Sequence, residues 1–496
     1  MVFSPVAPGR ASRLRGIEQA HWALYLTGGL IALRFVVAVY LPLSFDEAYF
    51  WLWSKHLAVS YYDHPPLIAF AIKAGTLVFG DTQWGVRAVS FLASIAASWA
   101  VWRAGALLLA DELAGAAACV FFNATLMIAS QSMSATPDAL VLAEAALLLF
   151  FVAKLQVSGD GRWWLAISAA LGAAFLTKYT AFFLGAGVAL WLIASRQNRA
   201  WFKTPWPYAA AAIAIACFVP NLWWNAAHDW ISFKFQFGRV VEGGPSLKHL
   251  GEFLGSQLAL ASPFILIPAL YGLGRQTRPL SIAAALVWPA LIYFLVHSIH
   301  ARVQGNWPSF VYPALAVLAA AALQHASHSR LLSWSSALAL PVAGLILVFV
   351  YAQTAFGFLN WGEHDPVARM TAVDIAPVMD EIATLAARTH AEGILTAEYE
   401  TTGWLSFYLH PHLPIVPVSQ DERYPQAPLA GVELLRKPLL YVVRRPAYHL
   451  PAVQAHFSKV TLEKVLPRVR NGAVVEKYYV YAVSGFHGAP IGRLPD

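Results

Sequence analysis

Long apolar stretches separated by short polar gaps fill the first 356 residues of this 496-residue chain. A helix needs about 20 residues to cross about 30 Å of hydrocarbon, and a soluble core does not need so many apolar stretches in series. The pattern therefore predicts a polytopic α-helical membrane protein with about eleven transmembrane helices. The predicted spans are 22–41, 85–110, 113–130, 138–156, 163–177, 179–195, 207–224, 253–273, 280–297, 308–325 and 331–355.

Residues 357–496 have a different pattern, with short β-branched runs and helical segments between some of them. The predicted strands lie near 393–396, 414–418, 439–443 and 478–483, and the helical patterns near 367–389 and 429–436. Strands that alternate with helices are typical of an α/β domain. The sequence thus predicts two domains, a membrane domain over 1–356 and a small soluble α/β domain over 357–496.

Composition supports the membrane assignment, because 58% of the residues are hydrophobic and only 12% are charged. About 25% charged residues are usual in a soluble domain. The net charge of +7 does not indicate nucleic-acid binding, since the basic residues lie at segment ends rather than on one face. Cys119 and Cys217 both fall inside apolar segments, so they form neither a disulfide framework nor a metal motif.

The basic residues predict the orientation of the spans, because loops on the cytoplasmic side carry an excess of Lys and Arg. With a cytoplasmic N-terminus, an odd number of spans places the C-terminal domain outside. All the short inner loops then carry positive charge, with the exception of Asp111-Glu112. The cytoplasmic basic residues are Arg162, Arg196, Arg199, Lys203, Arg275, Arg278 and Arg330.

The longest outward loop, between the first two spans, contains Ser44-Phe45-Asp46-Glu47. This segment has the S-x-x-E form of a capping box, so Ser44 and Glu47 are expected to start an interfacial helix. Capping does not require Asp46, although a helix N-terminus favours an acid there. Asp46 therefore remains a free carboxylate at the membrane surface, available as a general base.

The same loop continues with Tyr61-Tyr62-Asp63-His64-Pro65-Pro66. A residue before proline is restricted to extended geometry, so His64 is expected in a stiff, non-helical turn. The spacing alone favours a simple loop with solvated Asp63 and His64 over a functional site.

These loop motifs resemble those of the protein O-mannosyltransferase and aminoarabinose (ArnT-like) transferase superfamily. Members are GT-C-type glycosyltransferases that use polyprenyl-phosphate sugars. The resemblance covers about 20–360, and the first outer loop is its most specific part. It implies a bacterial inner-membrane enzyme with its active site at the periplasmic face. The further matching segments are Ser134–Leu140, Leu176–Tyr179, Pro220–Asn225, His228–Trp230, Arg302 and Gly305–Pro308.

The resemblance implies a role for several residues in outward loops. Asp46 is assigned as the catalytic base, with Glu47 as a possible support. The expected partners of the donor phosphate are Arg302 and Lys178, with His64 assisting; snorkelling is an equal alternative for Lys178. Asp138 either belongs to the site or only caps the fourth span beside Pro137.

The sequence departs from the aminoarabinose-transferase pattern at one point. Those relatives usually have Glu-Lys-Pro-Pro where this chain has Asp63-His64-Pro65-Pro66, so a fixed cation is replaced by a titratable one. No cofactor follows from the motifs with certainty. One hypothesis is that Asp63, His64 and His228 hold a divalent ion such as zinc, magnesium or manganese.

The function expected from the resemblance is transfer of a sugar from an undecaprenyl-type phosphate to an envelope glycolipid such as lipid A or lipopolysaccharide core. A protein O-mannosyltransferase-like activity is the first alternative. A lipid-linked sugar transporter or flippase is the second, but its pathway would need charges within the spans, which are nearly free of them. The expected partners are the lipid-linked donor, a glycolipid or glycan acceptor and membrane lipids. The chain alone does not identify the sugar.

Overall fold

The computed structural model describes residues 10–241, 244, 246–275, 277, 280–324 and 329–495. The membrane part contains sixteen of the described α-helices. They are α1 (Arg10–Tyr40), α2 (Phe45–Lys55), α3 (Leu67–Phe79), α4 (Gln83–Leu109), α5 (Glu112–Ala124), α6 (Leu126–Gln131), α7 (Pro137–Ser158), α8 (Trp163–Thr177), α9 (Phe182–Ala194), α10 (Trp206–Ala227), α11 (Ile231–Val241), α12 (Leu247–Ala261), α13 (Pro263–Gly274), α14 (Ser281–His297), α15 (Tyr312–Leu323) and α16 (Arg330–Phe356).

Each of the eleven predicted spans is helical over most of its length. Five described helices are long and apolar enough to cross a membrane, and they belong to α1, α4, α7, α10 and α16. Six shorter helical segments are also apolar, among them α3, α5, α8 and α14. The chain is a polytopic membrane protein with a mostly helical fold. Arg278 and residue 325, which belonged to the sequence predictions, lie outside the described residues.

Two predicted spans are not single straight helices. The span 113–130 is divided at Thr125, whose side chain caps the start of α6. The span 253–273 consists of α12 and α13, which meet at an angle of 105°. The junction residue Ser262 has φ 67° and ψ 135°, a backbone conformation that ends α12 before Pro263 starts α13. If this pair is one crossing, it is a broken one.

The first outer loop contains two helices, of which only the first was expected. Ser44 begins α2, and α3 follows the Pro65-Pro66 turn as a 13-residue apolar helix. Gly75 of α3 and Gly85 of α4 approach so closely that a Cβ on Gly75 would lie 2.2 Å from the Gly85 carbonyl oxygen. The loop is therefore packed against the bundle.

The C-terminal part is an α/β unit with a five-stranded sheet in the order β2-β1-β3-β5-β4. β1 pairs in parallel with β2 and β3, and β5 runs antiparallel to β3 and β4. The strands are β1 (Ile394–Thr396), β2 (Ile415–Pro417), β3 (Leu439–Val443), β4 (Phe457–Arg470) and β5 (Ala473–Phe486). The helices of this part are α17 (Pro366–Met370), α18 (Ala376–Thr389), α19 (Tyr399–Tyr408), α20 (Val432–Leu435) and α21 (Leu450–Gln454).

The C-terminal unit is docked on the loop between α1 and α2. Leu43 accepts a hydrogen bond from Trp404 Nε1 at 3.2 Å through its carbonyl oxygen, and its N–H donates to the Tyr408 hydroxyl at 2.6 Å. A Cβ on Gly403 of α19 would lie 3.0 Å from the backbone of Ala48 in α2. We call the end of the bundle that bears α2, α3 and the C-terminal unit the site face.

Candidate active site

The site begins with the capping box that starts α2. The Ser44 hydroxyl accepts a hydrogen bond from Glu47 N at 3.2 Å, and the Glu47 carboxylate accepts one from Ser44 N at 2.9 Å. Glu47 also forms two bonds of 2.7 Å with Arg87, and both side chains are only 1% exposed. The Arg87 guanidinium donates further to the carbonyl oxygens of Ala38 and Leu41, which end α1. The Glu47 carboxylate thus joins α2 to the end of the first span.

The pKa of Glu47 reflects this environment. Burial alone raises the pKa of Glu47, but the charge and hydrogen bonds of Arg87 outweigh it and hold the pKa below its usual value. The remaining acceptor capacity is used by Ala135 N, which donates to Glu47 at 2.9 Å. The structural role expected from the capping box is confirmed, and Glu47 has no free oxygen with which to act as a base.

Asp46, one residue earlier, has the opposite surroundings. Its side chain is half-buried, and it forms no ion pair within the described part of the chain. Burial raises the pKa of Asp46 to about 7, and the charges of Asp63 and Glu400 add to the rise. Tyr399 opposes this shift by donating a long hydrogen bond of 3.4 Å to the carboxylate. Asp46 is thus a carboxyl group that titrates near neutral pH.

Asp63 is buried and is bound by residues of both domains. Arg423 Nη1 donates to its two carboxylate oxygens at 2.9 and 2.8 Å, and the Tyr49 hydroxyl donates to one of them at 2.7 Å. Gln236 of α11 binds its carbonyl oxygen at 2.7 Å. The Asp63–Pro66 turn is therefore fixed by α2, α11 and the C-terminal unit rather than solvated.

Asp138 and Lys178 form a second buried ion pair, with a distance of 2.6 Å. The Asp138 carboxylate also accepts hydrogen bonds from Asn306 at 3.0 Å and Ser309 at 3.1 Å. These contacts join the start of α7, the end of α8 and the segment before α15. Asp138 lies close enough to contribute to the raised pKa of Asp46. Lys178 is buried in this pair, so it does not snorkel as an isolated cation.

Three other predicted residues have partners outside this cluster. His64 packs with its ring 6.0 Å from that of Phe50. Arg302 has a side chain that is 77% exposed, and it lies 3.8 Å from Glu252 of α12. The ring of His228 stacks on Trp224 at 4.0 Å, and its Nδ1 bonds the Trp224 carbonyl oxygen at 2.8 Å.

The hypothesis of a divalent ion at Asp63, His64 and His228 does not fit this arrangement. No group of three His, Cys, Asp or Glu side chains suited to a metal occurs among the residues described. The oxygens of Asp63 are engaged by Arg423 and Tyr49, and His228 is held against Trp224. The expected metal set is therefore corrected, because its members already have other partners.

Three residues of the centre were missed by the sequence analysis. Arg87 was hidden near the start of the predicted span 85–110, although an arginine in an apolar segment is itself a signal. Tyr399 follows β1, and Arg423 lies in the turn after β2. The carboxyl ends of parallel strands meet at one edge of a sheet, which brings both residues to the site face. No local motif identifies Tyr399 or Arg423, because their place at the site depends on the fold of the C-terminal unit.

The comparisons with known proteins agree with this architecture. Residues 63–224 match the family described as dolichyl-phosphate-mannose-protein mannosyltransferase. A lipid A galacturonosyltransferase, RgtD of Rhizobium johnstonii, is 28% identical over 308 residues, or 59% of this chain. The match spans 64% of the length of that relative.

Solved structures match over most of the chain. ArnT from Cupriavidus metallidurans in the apo state has a TM-score of 0.62 and 18% identity, covering 92% of this chain and 97% of that chain. The same protein bound to undecaprenyl phosphate has a TM-score of 0.62 and 16% identity over the same shares. The likeness to ArnT shows that the two chains share a fold, and the two sequence matches are to a family and a relative that are described as glycosyltransferases.

Proposed function

We propose that the chain is an integral membrane glycosyltransferase. In this proposal it transfers a sugar from a polyprenyl phosphate of the undecaprenyl type to an envelope glycolipid such as lipid A, at the periplasmic face of the bacterial inner membrane. The observation that carries the proposal is Asp46, a half-buried carboxyl group with a pKa near 7 and no ion pair among the described residues. A general base is most effective when its pKa lies near the working pH.

The proposed reaction is a displacement at the anomeric carbon of the sugar. The acceptor hydroxyl oxygen forms a bond to that carbon while Asp46 takes the hydroxyl proton. The bond between the anomeric carbon and the phosphate oxygen breaks, and its electron pair leaves with the polyprenyl phosphate. A nearby cation stabilises the charge that develops on the phosphate.

Arg302 and Lys178 remain the proposed phosphate partners, for different reasons. Arg302 is exposed, and its Nε lies 3.8 Å from the Glu252 carboxylate, so the guanidinium has N–H groups available for a second anion. Arginine binds phosphate in a planar, bidentate manner. Lys178 is buried in its ion pair with Asp138, so in this proposal it contributes as a fixed charge.

The matched relative supports a proposal for the sugar. It is named as a lipid A galacturonosyltransferase, so we propose a hexuronic acid as the transferred sugar and lipid A as the acceptor. Protein O-mannosylation is the second candidate, supported by the description of the family matched at residues 63–224.

Transfer assays with the purified full-length protein test this function. We would offer polyprenyl-phosphate hexuronate, hexose and aminopentose with lipid A or a serine- and threonine-containing peptide. Wild type should transfer to lipid A, Asp46→Asn should lose at least a hundredfold in kcat, and Arg302→Ala about tenfold in kcat/KM. Arg199→Ala, a substitution in the loop between α9 and α10, is the control. Transfer only to peptide would favour the second candidate, and no transfer by wild type to either acceptor would exclude both.

A further inference from the structure

The guanidinium of Arg423 occupies an unusual position between the two domains. It belongs to the turn after β2 in the C-terminal unit, yet its ion-pair partner is Asp63 in the first outer loop. Both hydrogen bonds to Asp63 come from a single nitrogen, Nη1. The Nε atom is buried and has no hydrogen-bond partner among the described residues. One edge of this planar cation is therefore not used by Asp63.

Aromatic rings surround the rest of the guanidinium. Its Cζ atom lies 4.3 Å from the ring centroid of Tyr399, 5.4 Å from that of Tyr62 and 5.6 Å from that of Tyr49. The side chain is only 14% exposed. Rings at these distances hold a cation by cation–π attraction, and exclusion of water strengthens its attraction for an anion.

Tyr399 relates this cation to Asp46. Its hydroxyl donates to the Asp46 carboxylate, and its ring faces Arg423. Arg423 and Asp46 are thus separated by one aromatic ring. In a direct displacement, the base and the leaving phosphate lie on opposite sides of the anomeric carbon. A cation one ring away from the base is then positioned beside the sugar rather than at the leaving group.

The neighbouring carboxylates are already paired with cations. Asp63 pairs with Arg423, Asp138 with Lys178, and Glu400 with Arg444 at 3.2 Å. Arg444 also pairs with Glu398 and Glu476, so Glu400 receives only a share of its charge. A further carboxylate near Asp46 would thus be accepted only where a cation retains free N–H groups. The Nε and Nη2 edge of an arginine provides two parallel donors that match a carboxylate in geometry.

We propose that Arg423 is the specificity-determining residue for the sugar, binding the carboxylate of a hexuronosyl donor through its Nε and Nη2 edge while Nη1 remains on Asp63. This inference rests on the proposed glycosyltransferase function and deepens it. Lysine at this position would retain the positive charge but would lack the two parallel N–H donors of the guanidinium. A neutral hexose, which has a hydroxymethyl group in place of the carboxylate, would leave this edge without its partner.

The test compares two donors that differ only in this group. Full-length enzyme is assayed with polyprenyl-phosphate hexuronate and with the matching polyprenyl-phosphate hexose, each with lipid A as acceptor. The measured quantity is the ratio of the two kcat/KM values, because the fraction of folded enzyme cancels from a ratio. We expect wild type to prefer the hexuronate, Arg423→Gln to lower the ratio at least tenfold, and Arg423→Lys to lower it less.

Two further variants separate recognition of the sugar from a merely structural role. Asp63→Asn removes the ion pair but retains the guanidinium, so its donor ratio should stay within about threefold of wild type. Arg493→Gln is the matched control, since this arginine of the same domain also has a buried Nε without a hydrogen-bond partner among the described residues, while its Nη1 donates to the Ala427 carbonyl oxygen at 2.9 Å. Its donor ratio should not change.

Several results would overturn the inference. An unchanged ratio in Arg423→Gln, with both donors slowed alike, would make Arg423 a partner of Asp63 or of the carrier phosphate. Loss of transfer from both sugar donors, in Arg423→Gln and Arg423→Lys alike, would lead to the same conclusion. Equal effects of Asp63→Asn and Arg423→Gln on the ratio of the two kcat/KM values would also contradict the inference. So would a wild-type enzyme that does not prefer the hexuronate donor. Absence of transfer from every lipid-linked donor would instead remove the proposed function on which it rests.

Discussion

Asp46 and Glu47 are adjacent carboxylates on the first turn of α2, but they differ in their partners. Glu47 is buried with Arg87 and accepts two further hydrogen bonds, from the backbone N–H groups of Ser44 and Ala135. Asp46 has the long hydrogen bond from Tyr399 and no cation among the residues described. The side chains of consecutive helical residues diverge, so Glu47 contacts Arg87 of the bundle and Asp46 contacts Tyr399 of the C-terminal unit.

Neutralising these two residues should therefore have opposite effects. Glu47→Gln leaves Arg87 buried without its counter-charge and should lower the free energy of unfolding by about 3–5 kcal/mol. Asp46→Asn removes a carboxyl group that is costly to ionise, so it should leave stability unchanged or raise it while transfer is lost. Thermal unfolding in detergent, measured beside transfer activity, checks both. A destabilised but active Asp46→Asn protein would contradict this division.

The pH profile offers a second test at the residue scale. Asp46 acts as a base only when ionised, so kcat/KM should rise with pH through an apparent pKa near 7. The Tyr399 hydrogen bond lowers this pKa, so Tyr399→Phe should move the rising limb to higher pH. Glu400 raises it, so Glu400→Gln should move the limb to lower pH.

The opposite directions are the control within this experiment, because general damage would not produce shifts of opposite sign. Tyr448→Phe is a control in the same domain, because the Tyr448 ring contacts His449 rather than Asp46. It should leave the rising limb of kcat/KM at the same pH. If the rising limb of kcat/KM stays at the same pH in both Tyr399→Phe and Glu400→Gln, a group other than Asp46 is responsible for it.

Part of the cluster in the membrane domain was selected from the sequence, although Arg87 was not. Asp46, Asp63, Asp138 and Lys178 were selected from loop motifs, and the structure brings them together. Arg423 and Tyr399 were not foreseen, because no motif within the C-terminal domain specifies which residues of a strand edge face the first outer loop. Local patterns predict caps and turns, whereas long-range pairing depends on the docking of two domains.

At the scale of elements, the bend between α12 and α13 is the largest departure from the predicted pattern. Hydropathy continues through residues 253–273, so periodicity alone predicts one helix. The break depends on the positive φ of Ser262 and on Pro263, which starts the next helix. Such a backbone conformation is costly for a residue with a side chain.

Ser262→Gly should therefore be neutral or stabilising, by about 1 kcal/mol, because glycine adopts positive φ without strain. The change also removes a buried hydroxyl that has no hydrogen-bond partner among the residues described. Ala259→Gly, three residues earlier in regular α12, is the comparison and should cost about 1 kcal/mol. Thermal unfolding measures both, and a destabilised Ser262→Gly protein would contradict the bent junction.

At the scale of the whole molecule, two further attachments of the C-terminal unit to the bundle add to the ion pair of Asp63 and Arg423. One is Leu43, which binds Trp404 and Tyr408 of α19. The other is the turn between β4 and β5, where Arg470 donates to the carbonyl oxygens of Gln353 and Thr354 at 2.9 and 2.8 Å. These carbonyls lie in the last turn of α16, where that of Gln353 also accepts the N–H of the C-cap residue Gly357, so Arg470 supplements the C-terminal cap of the helix.

Arg470→Ala should loosen this attachment, because it exposes the end of α16 and leaves Asp365 without its cation. We expect faster hydrogen exchange near residues 350–357 and transfer lowered about tenfold, since Tyr399 and Arg423 would be held less firmly over the loop. Arg436→Ala, an exposed substitution in the same domain, should change neither measurement. Unaltered exchange in Arg470→Ala would contradict the role of this turn.

The fold was predictable to the extent that it depends on local patterns. The apolar runs correspond to the membrane helices, and four strands were foreseen from β-branched segments. β4 was missed because it is an edge strand with alternating charges such as Lys459, Glu463 and Lys464, which resembles a solvated segment. The sheet order and its attachment to Leu43 involve contacts far apart in sequence, which no single segment specifies.

The pairing of distant segments has a consequence for how the protein is made. The bond from Tyr399 to Asp46 joins residues 353 positions apart, and the one from Arg423 to Asp63 joins residues 360 apart. Synthesis proceeds from the N-terminus, so α2 emerges long before the strands that complete its surroundings. A nascent chain therefore holds Asp46 without the neighbours that set its proton affinity. In the proposed function, a copy that lacks the C-terminal unit should therefore transfer no sugar and consume no carrier lipid.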